Sequence, residues 1–253
     1  MRKIQRIPKP EELTEEIQKE LTERFKKDKS SVWDQQYIRD GLLKMTDDKC
    51  CYCESKVGSG LEDMHVEHFH PKDKYPDEVV DWENLLPSCP HCNRRKSNHD
   101  TSLEPIINPC KVDPRQYFYF KNYRYRSKDL DPDSIGKRTL SVLKLNNTNR
   151  IKNTRFRIGE QLSEEIGNIY ELASDNKDIL CTNTRKRNKV LNGCRNLLEF
   201  CLPSSEYGSC MSTILHNDED FIALCEILKQ LGLWNDELEE LYVMSNNIKY
   251  ELR

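Results

Sequence analysis

The residues best suited to chemistry are cysteines and histidines gathered between positions 50 and 99. This window holds five of the eleven cysteines and five of the six histidines. Four of the cysteines form two Cys-x-x-Cys pairs, Cys50 with Cys53 and Cys89 with Cys92. A Cys-x-x-Cys turn places two thiolates on one side of a tight bend, at about the separation that tetrahedral zinc requires. The spacing predicts a structural zinc site with these four ligands.

Two alternatives remain open for the same cysteines. Cys51 could replace Cys50 as a ligand if the first turn is irregular, and a Cys-x-x-Cys pair can also do thiol-redox chemistry. The zinc interpretation is favoured because residues 49–109 contain too few apolar side chains for an ordinary core. A segment of this composition needs another source of stability, and a bound metal supplies it.

Between and after the two pairs lie further side chains of catalytic type. The sequence reads HVEHFHP at 65–71, WENLL at 82–86 and CPHCNRRK at 89–96. This arrangement resembles the motif of HNH endonucleases, in a zinc-stapled variant whose key residues are His, Asn and Asn. The resemblance implies a ββα-metal core, in which a hairpin and a helix hold a catalytic cation.

The resemblance also implies a role for each matching residue. His68 would be the general base that takes a proton from water, and Asn84 would hold that imidazole or its loop in position. Glu67 and Asn93 would be ligands of a catalytic Mg²⁺ or Mn²⁺ ion. The commoner HNH pattern has Asp where Glu67 stands and His where Asn93 stands.

Five further residues complete the predicted site. Three would contact phosphate, and two histidines would contact substrate or compete with His68 for the role of base. The first group is Arg94, Arg95 and Lys96, and the second is His65 and His70.

A narrower resemblance covers residues 1–100. The opening MRKIQRIPKPEEL, followed by CCYCE, HVEHFHPK and WENLLPSCPHCNRRK, is similar to the PtuB-type nucleases of Septu anti-phage defence systems, which also accompany some retrons. This resemblance implies an ATPase partner of the PtuA type and a nucleic-acid substrate, either DNA or RNA such as tRNA. For retron-linked members it also implies a reverse transcriptase and its DNA product. The competing hypothesis is a zinc-stabilised nucleic-acid-binding module without catalysis.

The flanking segments have helical periodicity. Leu13, Ile17, Leu21 and Phe25 recur every fourth residue, which predicts an amphipathic helix. A second helix is predicted over 31–45. Its buried side would carry Trp33, Tyr37, Ile38 and Leu42.

The C-terminal half is predicted to be a β-hairpin followed by helices. The alternation at 116–127 indicates a hairpin around Lys121 and Asn122. Helices are predicted at 134–145, 148–173, 184–201, 218–231 and 236–245, with Asn217 or Asp218 as a cap. The predicted fold class is therefore α+β. Its expected parts are an N-terminal helical segment (1–48), the zinc-stapled core (49–110) and a hairpin with a helical domain (111–253).

Charge and hydropathy exclude some classes of protein. The net charge is −3, yet residues 110–195 carry 19 basic and 10 acidic groups, while residues 196–253 carry 3 and 11. Such asymmetry suggests one surface that faces phosphate. No apolar run approaches the roughly 20 residues that a bilayer requires. Since the N-terminus turns acidic where a signal peptide would be apolar, we expect a cytoplasmic protein with no membrane partner.

Overall fold

The computed structural model describes residues 1–58 and 63–253, without the side chains of residues 148 and 149. The chain divides into two compact units. The first comprises residues 1–118 and 126–146, and the second comprises residues 119–125 and 147–253. Small sheets combine with a mainly helical C-terminal region, which confirms the α+β prediction. The domain limits predicted at 48 and 110 stay predictions.

The first unit opens with two helices, α1 (Glu15–Asp28) and α2 (Gln36–Thr46). Thr14 caps α1 by accepting a hydrogen bond from the backbone N–H of Ile17, and Leu21 and Phe25 are buried as predicted. The second helix begins five residues later than predicted. The chain forms a turn at residues 32 and 33 first, so Trp33 lies outside the helix.

A ββα core follows these helices. Strand β1 (His65–His68) pairs antiparallel with β2 (Leu85–Ser88), and α3 (Pro90–Lys96) starts directly after β2. Proline at the first helical position is compatible with the helix because no intrahelical partner awaits its missing N–H. This is the predicted order of elements.

A second pair of strands and a helix come next. Strands β3 (Phe118–Lys121) and β4 (Arg124–Ser127) form the predicted hairpin, and α4 (Ile135–Leu143) follows. The two loop residues are Asn122 and Tyr123, with φ angles of 49° and 60°. Positive φ at both positions is typical of the type I′ turn that a two-residue hairpin favours.

The second unit contains residues 119–125 of this hairpin and is otherwise mainly helical. Its helices are α5 (Asn153–Asp175), α6 (Thr184–Phe200), α7 (Gly208–Leu215), α8 (Glu219–Gln230) and α9 (Asp236–Asn246). A π-helical turn at Thr148–Lys152 occupies the predicted start of α5. Asp218 caps α8 as predicted, through its carboxylate. Within the described part of the chain, no helix is both long and apolar enough to cross a bilayer.

The sequence pattern does not predict α7, and the burial of this helix explains why. Seven of its eight residues are buried. A helix that is covered on every side has no polar face, so the alternation that marks an amphipathic helix does not arise.

Candidate functional site

The four predicted zinc ligands form one cluster. The sulfurs of Cys50, Cys53, Cys89 and Cys92 all lie within 4.8 Å of one another, and all four side chains are buried. The Sγ atoms of Cys53 and Cys89 are 3.7 Å apart. A tetrahedral zinc ion with Zn–S bonds of about 2.3 Å needs sulfurs separated by about 3.8 Å, so the donors fit this metal. Cys51 does not belong to the cluster.

Local backbone structure places each pair. In the first turn, the N–H of Glu54 donates to the carbonyl of Cys50 at 3.0 Å, and Glu54 has a φ of 68°. In the second, the Cys89 thiol caps α3 by accepting a hydrogen bond from the N–H of Cys92. A metal bound here would therefore link the turn after α2 to the junction of β2 and α3.

Burial of these thiols also bears on the redox alternative. Burial raises the pKa of the Cys50 thiol. Hydrogen bonds with the other three cysteines of the cluster lower the pKa of the Cys53 thiol. Thiol-disulfide exchange requires an accessible attacking thiolate. All four sulfurs belong to buried residues, so a metal site is the chemistry that this cluster supports.

A cleft of about 560 Å³ is lined by residues of β1, of α3 and of the segments next to them. Five of the residues predicted from the sequence line it: His65, Glu67, His68, Asn93 and Arg94. The end of β1 and one face of α3 therefore present the predicted base, the predicted ligands and a cation to the same space.

One ring nitrogen of His68 is held by a backbone hydrogen bond. Its Nε2 lies 2.9 Å from the carbonyl oxygen of Val79, and only 7% of the residue is exposed. Because a carbonyl can only accept, Nε2 carries the proton and Nδ1 keeps a lone pair. Burial lowers the pKa of His68 to about 4. The imidazole is therefore neutral at neutral pH, as a general base must be.

Asn84 fastens the segment that runs between β1 and β2. Its Oδ1 accepts a hydrogen bond from the N–H of His70 at 2.7 Å. Its Nδ2 donates to the carbonyls of His70 and Glu78, at 3.1 and 3.2 Å. Since Val79 follows Glu78, the amide restrains the stretch of backbone that holds His68.

The position of Lys96 corrects one prediction. Its Nζ lies 2.7 Å from Oε1 of Glu67 and 2.7 Å from the carbonyl oxygen of His68, and the residue is only 2% exposed. The lysine therefore pairs with a buried carboxylate and is not exposed at the surface, where a phosphate would bind. Burial raises the pKa of Glu67, and the charge of Lys96 opposes that shift.

The two histidines that could compete with His68 for the role of base have different surroundings. His65 is exposed in the cleft, with Nδ1 3.0 Å from Nδ2 of Asn93. His70 instead places Nδ1 2.7 Å from Oε2 of Glu78 and lines a separate cavity. The structure thus keeps His65 near the predicted site and separates His70 from it. Arg95 is exposed but does not line the cleft, in contrast to Arg94.

Comparison with known proteins shows the family of this chain. The model of the HNH endonuclease family matches residues 50–99. Septu protein PtuB of Bacillus thuringiensis is 39% identical over 239 residues, which cover 94% of this chain and 91% of that protein. The chain belongs to the PtuB family. Another member, Septu protein PtuB of Bacillus mycoides (strain KBAB4), is 29% identical over 116 residues, which cover 34% of this chain and 39% of that protein.

In this PtuB-family chain, the HNH domain also has two residues that could hold a harder metal ion. Glu67 and Asn93 line the same cleft and both carry oxygen donors, which suit Mg²⁺ or Mn²⁺. Mg²⁺ commonly binds one or two protein carboxylates and takes its remaining ligands from water and substrate phosphates. Two protein ligands are therefore compatible with such an ion.

The cleft of this PtuB-family chain includes side chains that the motif did not predict. Trp33 and Arg39 come from the N-terminal segment, and Lys72 follows β1. Trp33 and Arg39 lie outside the residues that match the HNH family. Sequence spacing gave no signal for them, because only the packing of the N-terminal segment brings them to the cleft.

Proposed function

We propose that this chain is a metal-dependent HNH endonuclease that hydrolyses phosphodiester bonds of nucleic acid, as the effector nuclease of an anti-phage defence complex. The observation that carries the proposal is the state of His68. Its Nε2 is bound to Val79, its neutral form is favoured, and it lines one cleft with Glu67 and Asn93. Membership of the PtuB family and the HNH match support the same function.

Two different metals are proposed. Cys50, Cys53, Cys89 and Cys92 would hold Zn²⁺ as a structural ion. Glu67 and Asn93 would hold Mg²⁺ or Mn²⁺ in the cleft. When bound, the second ion would stabilise negative charge on the phosphate and on the leaving 3′ oxygen.

Each side chain has its own role in hydrolysis. Nδ1 of His68 takes a proton from a water molecule, the oxygen of that water attacks phosphorus, and the bond to the 3′ oxygen breaks. The hydrogen bond from Nε2 to Val79 holds the imidazole while it carries the extra proton. Asn84 keeps that backbone in place. Arg94 and His65, which line the cleft, contact the substrate strand.

The family supplies the proposed partner. Because the relatives are Septu proteins named PtuB, we infer that an ATPase of the PtuA type assembles with this chain and controls it. A nuclease that is active without control would damage its host. We therefore expect low activity from the isolated chain and robust cleavage only after activation of the complex. The substrate is DNA or RNA, and for a retron-linked complex the partners include a reverse transcriptase and its DNA product.

The test is co-expression of the chain with its genomic neighbour, followed by sequencing of cleaved DNA and RNA after activation. We expect His68→Ala to abolish cleavage while nucleic-acid binding persists. His99→Ala is the matched control, because His99 does not line the cleft and instead bonds the carbonyl of Glu104.

The competing function makes a different prediction for the same experiment. A binding module without catalysis would bind nucleic acid in the wild-type and His68→Ala complexes alike, with cleavage in neither. If the His68→Ala complex cleaves nucleic acid at the wild-type rate, the proposed mechanism is equally contradicted.

A further inference from the structure

We propose that Trp33 is a positioning residue for His68, supplied to the nuclease cleft by the N-terminal helical segment. The inference rests on the proposed function, since it assumes that His68 is the base. Trp33 lies in the turn between α1 and α2, outside residues 50–99 that match the HNH family. It nevertheless lines the same cleft as His68.

The contact between the two rings is close and perpendicular. The ring centroids of Trp33 and His68 are 4.8 Å apart, and their planes meet at 87°. Edge-to-face packing of this kind is a favoured geometry for aromatic rings, because the positive ring edge meets the negative face. The contact therefore selects one orientation of the imidazole plane.

Trp33 is itself held from two other directions. The ring of Phe25, a buried residue of α1, packs against it with centroids 5.8 Å apart and an interplanar angle of 71°. The ammonium of Lys72 lies 5.0 Å from the centre of the indole ring. Helix α1 and the segment after β1 thus fix the indole, and the indole in turn can fix His68.

A second restraint on His68 is needed for a geometric reason. The hydrogen bond from Nε2 to Val79 fixes one atom of the ring, but the ring plane can still turn about that bond. Such a rotation would move Nδ1, the atom that must meet the attacking water. A misplacement of about 1 Å can reduce a catalytic rate by about a hundredfold.

The experiment compares substitutions of Trp33 in the complete complex with the ATPase partner. Trp33→Phe keeps a ring and should retain kcat within about threefold of wild type. Trp33→Leu fills part of the volume without a ring, and should lower kcat by between about tenfold and a hundredfold with KM nearly unchanged. The control is Trp82→Phe, which alters a buried ring of the same unit that does not line the cleft.

A second readout does not depend on activity. Nitrogen NMR of the His68 ring in the isolated chain should show the form protonated at Nε2 in wild type and in Trp33→Phe. Trp33→Leu should shift the ring toward a mixture of the two neutral forms. If Trp33→Leu does not fold, Trp33→Met takes its place, because its flexible chain fills the volume without supplying a ring.

The outcomes distinguish the positioning role of Trp33 from the proposed nuclease function. If His68→Ala is inactive but Trp33→Leu keeps wild-type kcat and the wild-type His68 spectrum, the positioning role is wrong and the proposed function stands. A rise in KM for Trp33→Leu without a fall in kcat would also overturn the positioning role, since Trp33 would then be a substrate contact. If His68→Ala cleaves at the wild-type rate, the proposed function itself is contradicted.

Discussion

The ammonium of Lys96 lies 2.7 Å from a carboxylate oxygen of Glu67, and both side chains are almost completely buried. Lys96 stands one helical turn after Cys92 on α3. The same short helix therefore carries a ligand of the zinc-type cluster and the cation that neutralises a predicted ligand of the catalytic metal. This arrangement ties the geometry of the cleft to the integrity of the cysteine cluster.

The first prediction concerns this buried pair. Lys96→Met should reduce the free energy of unfolding by about 3–5 kcal/mol, because it leaves the carboxylate of Glu67 buried without its counter-charge. Urea denaturation at pH 7 measures the change. The double variant Glu67→Gln with Lys96→Met should recover most of the loss, since neither charge remains. A Lys96→Met protein as stable as wild type would show that the pair has no such role.

The second prediction concerns the cysteine cluster. Removal of zinc by a chelator, or the substitution Cys92→Ser, should unfold the segment 49–100, because a structural zinc site contributes on the order of 10 kcal/mol to folding. Hydrogen exchange along the chain and measurement of bound zinc check this together. Cys181→Ser is the control, since that thiol is exposed and lies outside the cluster. Unchanged protection of 49–100 after complete zinc removal would contradict the assignment.

The third prediction distinguishes two adjacent arginines. Arg94 lines the cleft and Arg95 does not, although both are exposed. Arg94→Ala should weaken nucleic-acid binding and reduce the slope of log K against log salt by about 1, the effect of one lost phosphate contact. Arg95→Ala should leave the slope nearly unchanged. Binding is measured in the His68→Ala background, so that the substrate stays intact, and equal effects of the two substitutions would refute the distinction.

The fourth prediction concerns pH and the second unit. His216 is buried with Nε2 2.8 Å from Oγ of Ser245, and burial lowers its pKa to about 4. A depressed pKa means that the fold favours the neutral ring. The contribution of His216 to stability is therefore complete above pH 6.5, the pKa of the unfolded chain, and is lost progressively as the pH falls toward 4. The shift corresponds to about 3 kcal/mol.

Hydrogen exchange over residues 208–246 between pH 7 and pH 4 tests this dependence. His216→Gln should flatten the pH dependence of protection in that window, because glutamine does not titrate. His68 has a similarly lowered pKa but belongs to the first unit, so the difference between wild type and His216→Gln isolates the local effect. An identical pH profile in the two proteins would contradict the prediction.

Much of the candidate site followed from local spacing. A Cys-x-x-Cys turn fixes the relative positions of its two thiols within four residues, so two such pairs were sufficient to predict the cluster that the structure contains. The hairpin of β3 and β4 also followed from a short alternating pattern, whereas the order of β1, β2 and α3 followed from the resemblance to HNH endonucleases. Each Cys-x-x-Cys turn and the hairpin are encoded by neighbours in the chain, which is why the sequence alone determined them.

Tertiary packing decided the surroundings of those residues. The run of Arg94, Arg95 and Lys96 predicts three exposed cations, yet the helix turns Lys96 inward to Glu67 and only Arg94 toward the cleft. Tertiary packing likewise decides the contact between Trp33 and His68, which are 35 positions apart in the sequence. Spacing fixes where a side chain leaves the backbone. Which partner it then meets depends on contacts between distant segments, and these exist only once the unit has folded.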